Sequence, residues 1–466
     1  MQKQVRKNYV LDCTVLVFDP KCILAFHGNN VIIPNSELRH LERLTEDKKE
    51  MVRYQAKVAL NFINHIRSSA KENENHGFVL EKDIVLYIFH VSNVSNAKDS
   101  YENIFETMKK TSETFMEDRQ ALETILVSRT LSLRIAALAN GYKAEDYKAG
   151  MIFADNTFKG VMEVSYKFFD MNSICSNVTE IECPKDLEVY PNQYLVIVNE
   201  SGKKIATYRV AKNTKILKRV DVNKLYNKRV YGVKPLNDMQ AYAIDLLLDP
   251  EVECVSLSGT AGTGKTFLSV AAALQQTIPK DNSEPRYNKI IFVRPMVAAG
   301  EEMGFIPGTV IEKLIPWMGS LYDAIEVLVT GEENLENDKK NQKISASKMA
   351  EKFIEEQMEN GFLQLSPTTY MRGRTFERAF VIIDEAQGIT PHIMKTILTR
   401  KGGQSKIVIA GDPSDNQIDT ELLDTYYNGL IYASQGLKES KHSGLVEFTP
   451  KNIVRSNFVE DVEAML

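Results

Sequence analysis

Eight residues, Gly259-Thr260-Ala261-Gly262-Thr263-Gly264-Lys265-Thr266, have the types and spacing to hold a triphosphate. They fit G-x-x-x-x-G-K-[ST] in full. Three glycines let the backbone turn its N–H groups inward around phosphate oxygens. The run Phe267 to Leu274 follows as a helix whose N-terminus favours anions. In this pattern Lys265 reaches the β- and γ-phosphates, and the Thr266 hydroxyl holds Mg²⁺. Phe380-Val381-Ile382-Ile383-Asp384-Glu385-Ala386-Gln387 supplies the partner that such a loop requires. Four apolar residues read as a buried strand, with Asp384 emerging at its C-terminal end, where ligands sit in open α/β sheets. Asp384 is expected to bind Mg²⁺ through water, and Glu385 to polarise the attacking water as general base. The pair predicts ATP binding and hydrolysis.

These groups need a sheet to carry them. Cys254–Leu257, Ile290–Val293, Phe380–Ile383 and Lys406–Ala410 are near-continuous apolar runs, the mark of parallel strands covered on both faces. They occupy a region from 233 to 466. A first region, 1 to 150, alternates strands (Tyr9–Phe18, Val31–Pro34, Ile84–His90, Ile125–Ser128) with helical stretches, one of them from Ser36 to about Ser68. Between them, 151 to 232 changes texture to short alternating strands. Gln193–Val198 and Lys204–Val210 flank Ser201-Gly202 as a hairpin. The expected fold is α/β: a small parallel-sheet domain, a small antiparallel β-rich connector and a P-loop ATPase domain.

The chain of 466 residues is too long for one hydrophobic core. Its 57 basic and 62 acidic side chains leave a net charge of -5, so any nucleic-acid-binding surface must be local. Lys212 to Lys228, with Tyr226, is one such stretch. Cys13, Cys22, Cys175, Cys183 and Cys254 are scattered. No spacing resembles a zinc site and nearby histidine partners are lacking, which predicts reduced, partly buried thiols in a cytoplasmic protein. No apolar run reaches the length of a membrane span.

Asp384-Glu385-Ala386-Gln387 resembles the Walker B box of superfamily 1 helicase-like ATPases, and other pieces fall in matching order. Gln240, one helix ahead of the phosphate loop, corresponds to an adenine-reading glutamine. Gln417, in Gly411–Asp419, corresponds to a γ-phosphate sensor. Phe292-Val-Arg-Pro295, Ala299–Gly308, Met371–Phe376 and Asn452-Ile-Val-Arg-Ser456 look like the PhoH-like ATPase family. That resemblance implies one RecA-like domain assembled into a homo-oligomeric ring, with a hexamer as the expected size. A neighbour then completes the site, with Arg455 as an arginine finger in trans. Arg294, Arg372 and Arg374 are left between contacts to ATP and contacts to a nucleic-acid strand.

The first region resembles a PIN nuclease domain, opening with a strand that ends at Asp12, then Thr14. PIN nucleases gather carboxylates around Mg²⁺ or Mn²⁺. Asp12 stands in place here. The family's Glu-Glu-Leu-Asp falls on Arg39-His40-Leu41-Glu42, and its Thr-Lys-Asp on Ser128-Arg129-Thr130. Glu37, one helical turn earlier, is a substitute ligand. Asp99, Glu102 and Asp118 are alternatives for the middle acid, and His40 reads as a surface histidine. The resemblances imply an ATP-driven machine acting on single-stranded RNA, with a degenerate PIN domain. The competing expectation is a nucleotide switch with no nucleic-acid substrate.

Overall fold

The computed structural model describes residues 6–48, 50–90, 100–117, 120–147, 157–171, 174, 178–279, 284–295, 318–330, 346–371, 373, 375–414, 417–418 and 423–454. They fall into two units, Met1–Met151 and Ile152–Leu466. Among the described residues no helix is long and apolar enough to cross a membrane.

The strands of the first unit are β1 (Asn8–Leu11), β2 (Asn30–Pro34), β3 (Lys71–Glu72), β4 (Phe78–Val79), β5 (Val85–Phe89), the short pair β6 (Met116–Glu117) and β7 (Gln120–Ala121), β8 (Thr124–Val127) and β9 (Lys143–Glu145). One sheet runs β3-β4-β5-β2-β1-β8-β9. From β5 to β9 it is parallel, and only the β3–β4 edge is antiparallel. Its helices are α1 (Cys13–Phe18), α2 (Asn35–Leu44), α3 (Glu50–Ser69), α4 (Ser100–Thr114) and α5 (Leu131–Ala139). Asp12 closes β1 and caps α1 by accepting the Val15 N–H at 3.3 Å. The helical run expected from Ser36 to Ser68 is two helices. Thr45 donates its hydroxyl to the Glu42 carbonyl at 2.7 Å, giving that terminal carbonyl a side-chain partner, and α2 stops there.

The second unit begins with a five-stranded sheet of β10 (Val161–Ser165), β11 (Glu180–Glu182), β12 (Tyr194–Val198), β13 (Lys204–Val210) and β14 (Ile216–Arg219), ordered β10-β12-β13-β14-β11. The hairpin at Ser201-Gly202 forms, with Gly202 at φ 75 in the left-handed region. The sheet is not antiparallel throughout, as the sequence suggested. β10 runs parallel to β12, because a long crossover separates them.

This sheet is fastened to the rest of its unit. After α6 (Val222–Asn227) comes α7 (Asp238–Leu248). Arg209 on β13 reaches Asp245 at 3.3 Å and Asp249 at 2.8 Å. Tyr194 donates to Asp245 at 2.6 Å, and its ring stacks on Tyr242 at 4.4 Å. The boundary read near residue 232 therefore separates two sheets inside one unit.

The third sheet holds β15 (Cys254–Gly259), β16 (Lys289–Arg294), β17 (Leu363–Pro367), β18 (Ala379–Ile383), β19 (Lys406–Gly411) and β20 (Ser443–Phe448), ordered β17-β16-β18-β19-β15-β20. Every pair is parallel. Helices α8 (Lys265–Thr277), α9 (Gly319–Thr330), α10 (Ala346–Glu359), α11 (Pro391–Leu398) and α12 (Gly429–Gly436) accompany it. Side chains alternate between the faces. Phe380 and Ile382 join the core with Leu268 and Ala272 of α8, whereas Val381 and Ile383 join the core with Met394 of α11 and Leu430 of α12. Each face is thus covered, which is why these strands read as unbroken apolar runs.

Replacing Arg209 with alanine leaves Asp245 and Asp249 without their shared cation. The expected loss is about 3 kcal/mol in denaturant unfolding. Unchanged stability would show that the ion pairs do not hold the two sheets together.

Candidate nucleotide site

β15 delivers the phosphate loop. Gly259, Gly262 and Gly264 all have positive φ. A side chain on Gly259 would overlap the Phe448 carbonyl of neighbouring β20, so only glycine allows both the turn and the close approach. Thr263 is fully buried and donates its hydroxyl to the Thr260 carbonyl at 2.9 Å, closing the loop. Lys265 starts α8 and folds over the loop, donating to the Gly259 carbonyl at 2.6 Å and the Thr260 carbonyl at 2.8 Å. Its ammonium therefore lies against the loop that α8 follows.

Gln240 is buried beside this loop. Its Nε2 donates to the Thr263 carbonyl at 3.0 Å, and its Oε1 accepts the Leu236 N–H at 2.8 Å. In this structure the side chain is a strut between α7 and the phosphate loop. Asn237 caps α7 through the Gln240 N–H and also reaches the Asn452 carbonyl at 3.3 Å, while the Val454 N–H meets Gly262 at 3.3 Å.

Asp384 sits at the end of β18, one strand removed from β15, and is buried. The Thr266 hydroxyl donates to its Oδ1 at 2.7 Å, and the Ser320 hydroxyl of α9 donates to its Oδ2 at 2.7 Å. A hydroxyl and a carboxylate converging in this way are hard oxygen donors, the set Mg²⁺ takes. Glu385 follows in the left-handed region at φ 52, an uncommon conformation for a non-glycine residue. It is held from two sides. Arg294 of β16 lies 3.5 Å from Oε1, and Gln387 donates to Oε2 at 2.6 Å. Arg294 also contacts Ser320 at 3.3 Å, so this arginine belongs to the carboxylate cluster.

Three contributors escaped the sequence. Gln387 is buried and also accepts the Asp412 N–H at 3.1 Å and donates to the Gln417 carbonyl at 3.4 Å. Asp412, at the end of β19, accepts the Ala261 N–H at 2.9 Å and caps the turn through Ser414. Ser320 is the third. Gln417 has an exposed side chain, and only its backbone carbonyl joins the cluster. Arg455, Arg372, Arg374 and the Ala299–Gly308 segment lie outside the described residues.

In the first unit Asp12 is 3% exposed and fully engaged. It accepts the Thr14 hydroxyl at 2.7 and 2.9 Å, the Ser128 hydroxyl at 2.8 Å and the Val15 N–H. Ser128 thus stands as a hydroxyl where the family's last motif begins. Burial pushes the Asp12 carboxyl up from its ordinary value, and pushes Glu37 up likewise. Glu37 is 2% exposed and accepts the Cys13 N–H at 2.9 Å. His40, read from sequence as a surface residue, is half-buried with Nδ1 3.0 Å from Cys13 Sγ. Glu102 is exposed on α4, and Asp99 and Asp118 lie outside the described residues. With two carboxylates, a thiol and an imidazole, this cluster does not match the all-oxygen set that Mg²⁺ or Mn²⁺ takes in a PIN site.

Within the Lys212 to Lys228 stretch, Lys212 pairs with Glu251 at 3.3 Å and Lys218 with Glu180 at 3.6 Å. Tyr226 donates to Asp238 at 2.9 Å.

A glycine loop opening onto a helix, with a carboxylate strand one strand away in an all-parallel sheet, defines a P-loop ATPase. The first unit, with its parallel sheet and capped Asp12, is a PIN domain. The chain belongs to the PhoH-like protein family, whose model matches residues 232–466, while a PIN domain model matches 9–148. Protein PhoH2 from Bacillus subtilis is 32% identical over 450 residues, covering 95% of this chain and 96% of that protein. Protein PhoH2 from Thermobispora bispora is 28% identical, covering 87% and 85%. A shorter PhoH-like protein of B. subtilis is 37% identical over 204 residues, covering 44% of this chain and 55% of its own length. The chain is thus a PIN–PhoH fusion with a P-loop ATPase domain, a combination related to nucleic-acid chemistry.

Gln387→Ala releases one side of Glu385 and the turn at Asp412. Turnover is expected to fall roughly 10- to 100-fold while KM for ATP changes little, because no phosphate-facing group is removed. A wild-type kcat in that variant would reduce Gln387 to packing.

Proposed function

We propose that this protein hydrolyses ATP in the cytoplasm to move along or unwind single-stranded RNA, as a homo-oligomeric ring. The observation that supports the hydrolytic part of the reading is the convergence of Thr266 and Ser320 on Asp384, with Glu385 fixed beside them by Arg294 and Gln387. Such an arrangement positions a water-polarising carboxylate against a metal-binding one before substrate arrives. Lys265 neutralises the β- and γ-phosphates, and the loop N–H groups orient them. Thr266 and Asp384 would hold Mg²⁺, which would neutralise charge on the transferred phosphoryl group. Glu385 takes the proton of the attacking water. Gln240, which holds the loop through the Thr263 carbonyl, pairs with the adenine edge once ATP is bound. Gln417 and, from a neighbouring subunit, Arg455 respond to the γ-phosphate. The PIN domain binds the strand more readily than it cuts it, since Arg39 and His40 replace its carboxylates.

A nucleotide switch is the competing reading. It is favoured by the ion pairs at Lys212 and Lys218, which withdraw part of the basic stretch from phosphate binding.

The deciding measurement is the ATP hydrolysis rate with and without single-stranded RNA, with Lys265→Ala as the blank. Lys265→Ala should lower turnover roughly 100- to 1,000-fold, and RNA should stimulate the wild type. A flat response above a clear basal rate would give the site to the switch. Arg455→Ala and Glu385→Gln subunits, each inactive alone, should recover part of the activity when mixed. No recovery at any ratio would refute the shared site.

A further inference from the structure

Three side chains in the first unit converge from two helices. Cys13 is the first residue of α1, held there by the Asp12 cap. Glu37 and His40 lie on α2, three residues apart and hence on one face. Their ligand atoms, the Cys13 sulfur, a Glu37 oxygen and a His40 ring nitrogen, all lie within 4.8 Å of one another. The Cys13 N–H fixes Glu37 Oε2 at 2.9 Å, and His40 Nδ1 faces Cys13 Sγ at 3.0 Å. The geometry is that of a cysteine sulfur, a carboxyl group and an imidazole placed around one point.

The two carboxyl groups beside this point are buried. Glu37 and Asp12 are 2% and 3% exposed, and among the described residues neither forms an ion pair. Buried carboxylates without a cation are costly. A divalent ion at this point supplies the missing charge. We propose that Cys13, Glu37 and His40 form a binding site for zinc or a similar borderline metal, in place of the carboxylate cluster that holds magnesium in a PIN nuclease. Ligand chemistry selects the metal. Sulfur and imidazole nitrogen favour zinc and exclude magnesium, which takes oxygen alone. Three protein ligands leave the fourth tetrahedral position to water or to an oxygen of a bound phosphate, the pattern of an open zinc site. Asp12, engaged by Thr14, Ser128 and Val15, holds the end of α1 that presents Cys13 and stays outside the ligand set.

The test uses the full-length chain, purified without chelator, with metal content measured by mass spectrometry and cobalt(II) as the spectroscopic probe. The expected result is one zinc per chain beyond any ion at the ATP site. Cobalt should show intense visible bands of tetrahedral geometry and a near-ultraviolet sulfur-to-cobalt charge-transfer band. Cys13→Ser keeps a hydroxyl for His40 and should fold, as circular dichroism can check. It should lose the charge-transfer band and bind zinc roughly 100-fold more weakly. Glu37→Gln should weaken zinc binding while keeping the charge-transfer band. Asp384→Asn should leave the spectrum unchanged, which separates this ion from the one at the nucleotide site. Folded Cys13→Ser with undiminished zinc, a cobalt spectrum without a sulfur band, or metal lost only on Asp384→Asn would each overturn the proposal.

Discussion

The nucleotide site depends on one hydrogen bond that spans a strand. The Thr266 hydroxyl belongs to α8, which leaves β15, and Asp384 ends β18, yet the two meet at 2.7 Å with β19 between them. They meet because the strand register fixes where each chain leaves the sheet: Asp384 follows Ile383 at the level of Ile409, two residues before β19 ends at Gly411. Leu257 pairs with Ala410, and Ile383 with Ile409. A slip of one residue would turn every side chain to the other face. The full burial of β15, β18 and β19 makes that slip expensive, since each face loses its apolar partners. The fold's energy and the site's geometry are one constraint.

Local spacing made the phosphate loop and the carboxylate strand readable, because both motifs are continuous in sequence and flanked by strands of the right texture. Gln387, Asp412 and Ser320 were not readable as partners. Each is an ordinary polar residue whose role arises from strands brought together across the sheet. The two flanking strands, β17 and β20, were missed for a related reason. Gln364 and Ser366 in one, and Glu447 in the other, interrupt the apolar run, because an edge strand need not be covered on both sides. The long helix expected after Pro34 divided at Thr45, where a side chain competes for a terminal carbonyl.

The first unit shows the limit of reading cysteines by spacing. Cys13 and His40 are 27 residues apart, and no local pattern joins them. The parallel pairing of β1 with β2 brings α1 and α2 off the same end of the sheet, and the two residues meet there. The alignment to the PIN pattern placed His40 where a carboxylate belongs. The substitute carboxylate, Glu37, lies one turn back on the same helix, as the helical period allows. The side chains gathered at this end of the sheet are a thiol, a carboxyl and an imidazole in place of the carboxylate set that the PIN pattern puts there.

Helix α7 joins two parts of the second unit that the sequence separated. Near its C-terminus Asp245, with Asp249 just beyond, is gripped by Arg209 of the β-rich sheet. At its N-terminus Asn237 caps the helix and Gln240 holds the Thr263 carbonyl of the phosphate loop. Both grips lie on or beside one helix of eleven residues, about 16 Å long. A hydrogen-bonded helix of this length bends little, so it behaves as a rod with a clamp at each end. The helix therefore couples the small sheet to the phosphate loop through one rigid element, with no loop between the two attachments. The Thr263 carbonyl of the phosphate loop and the Arg209 cluster of the small sheet are thus two attachments of a single rigid element.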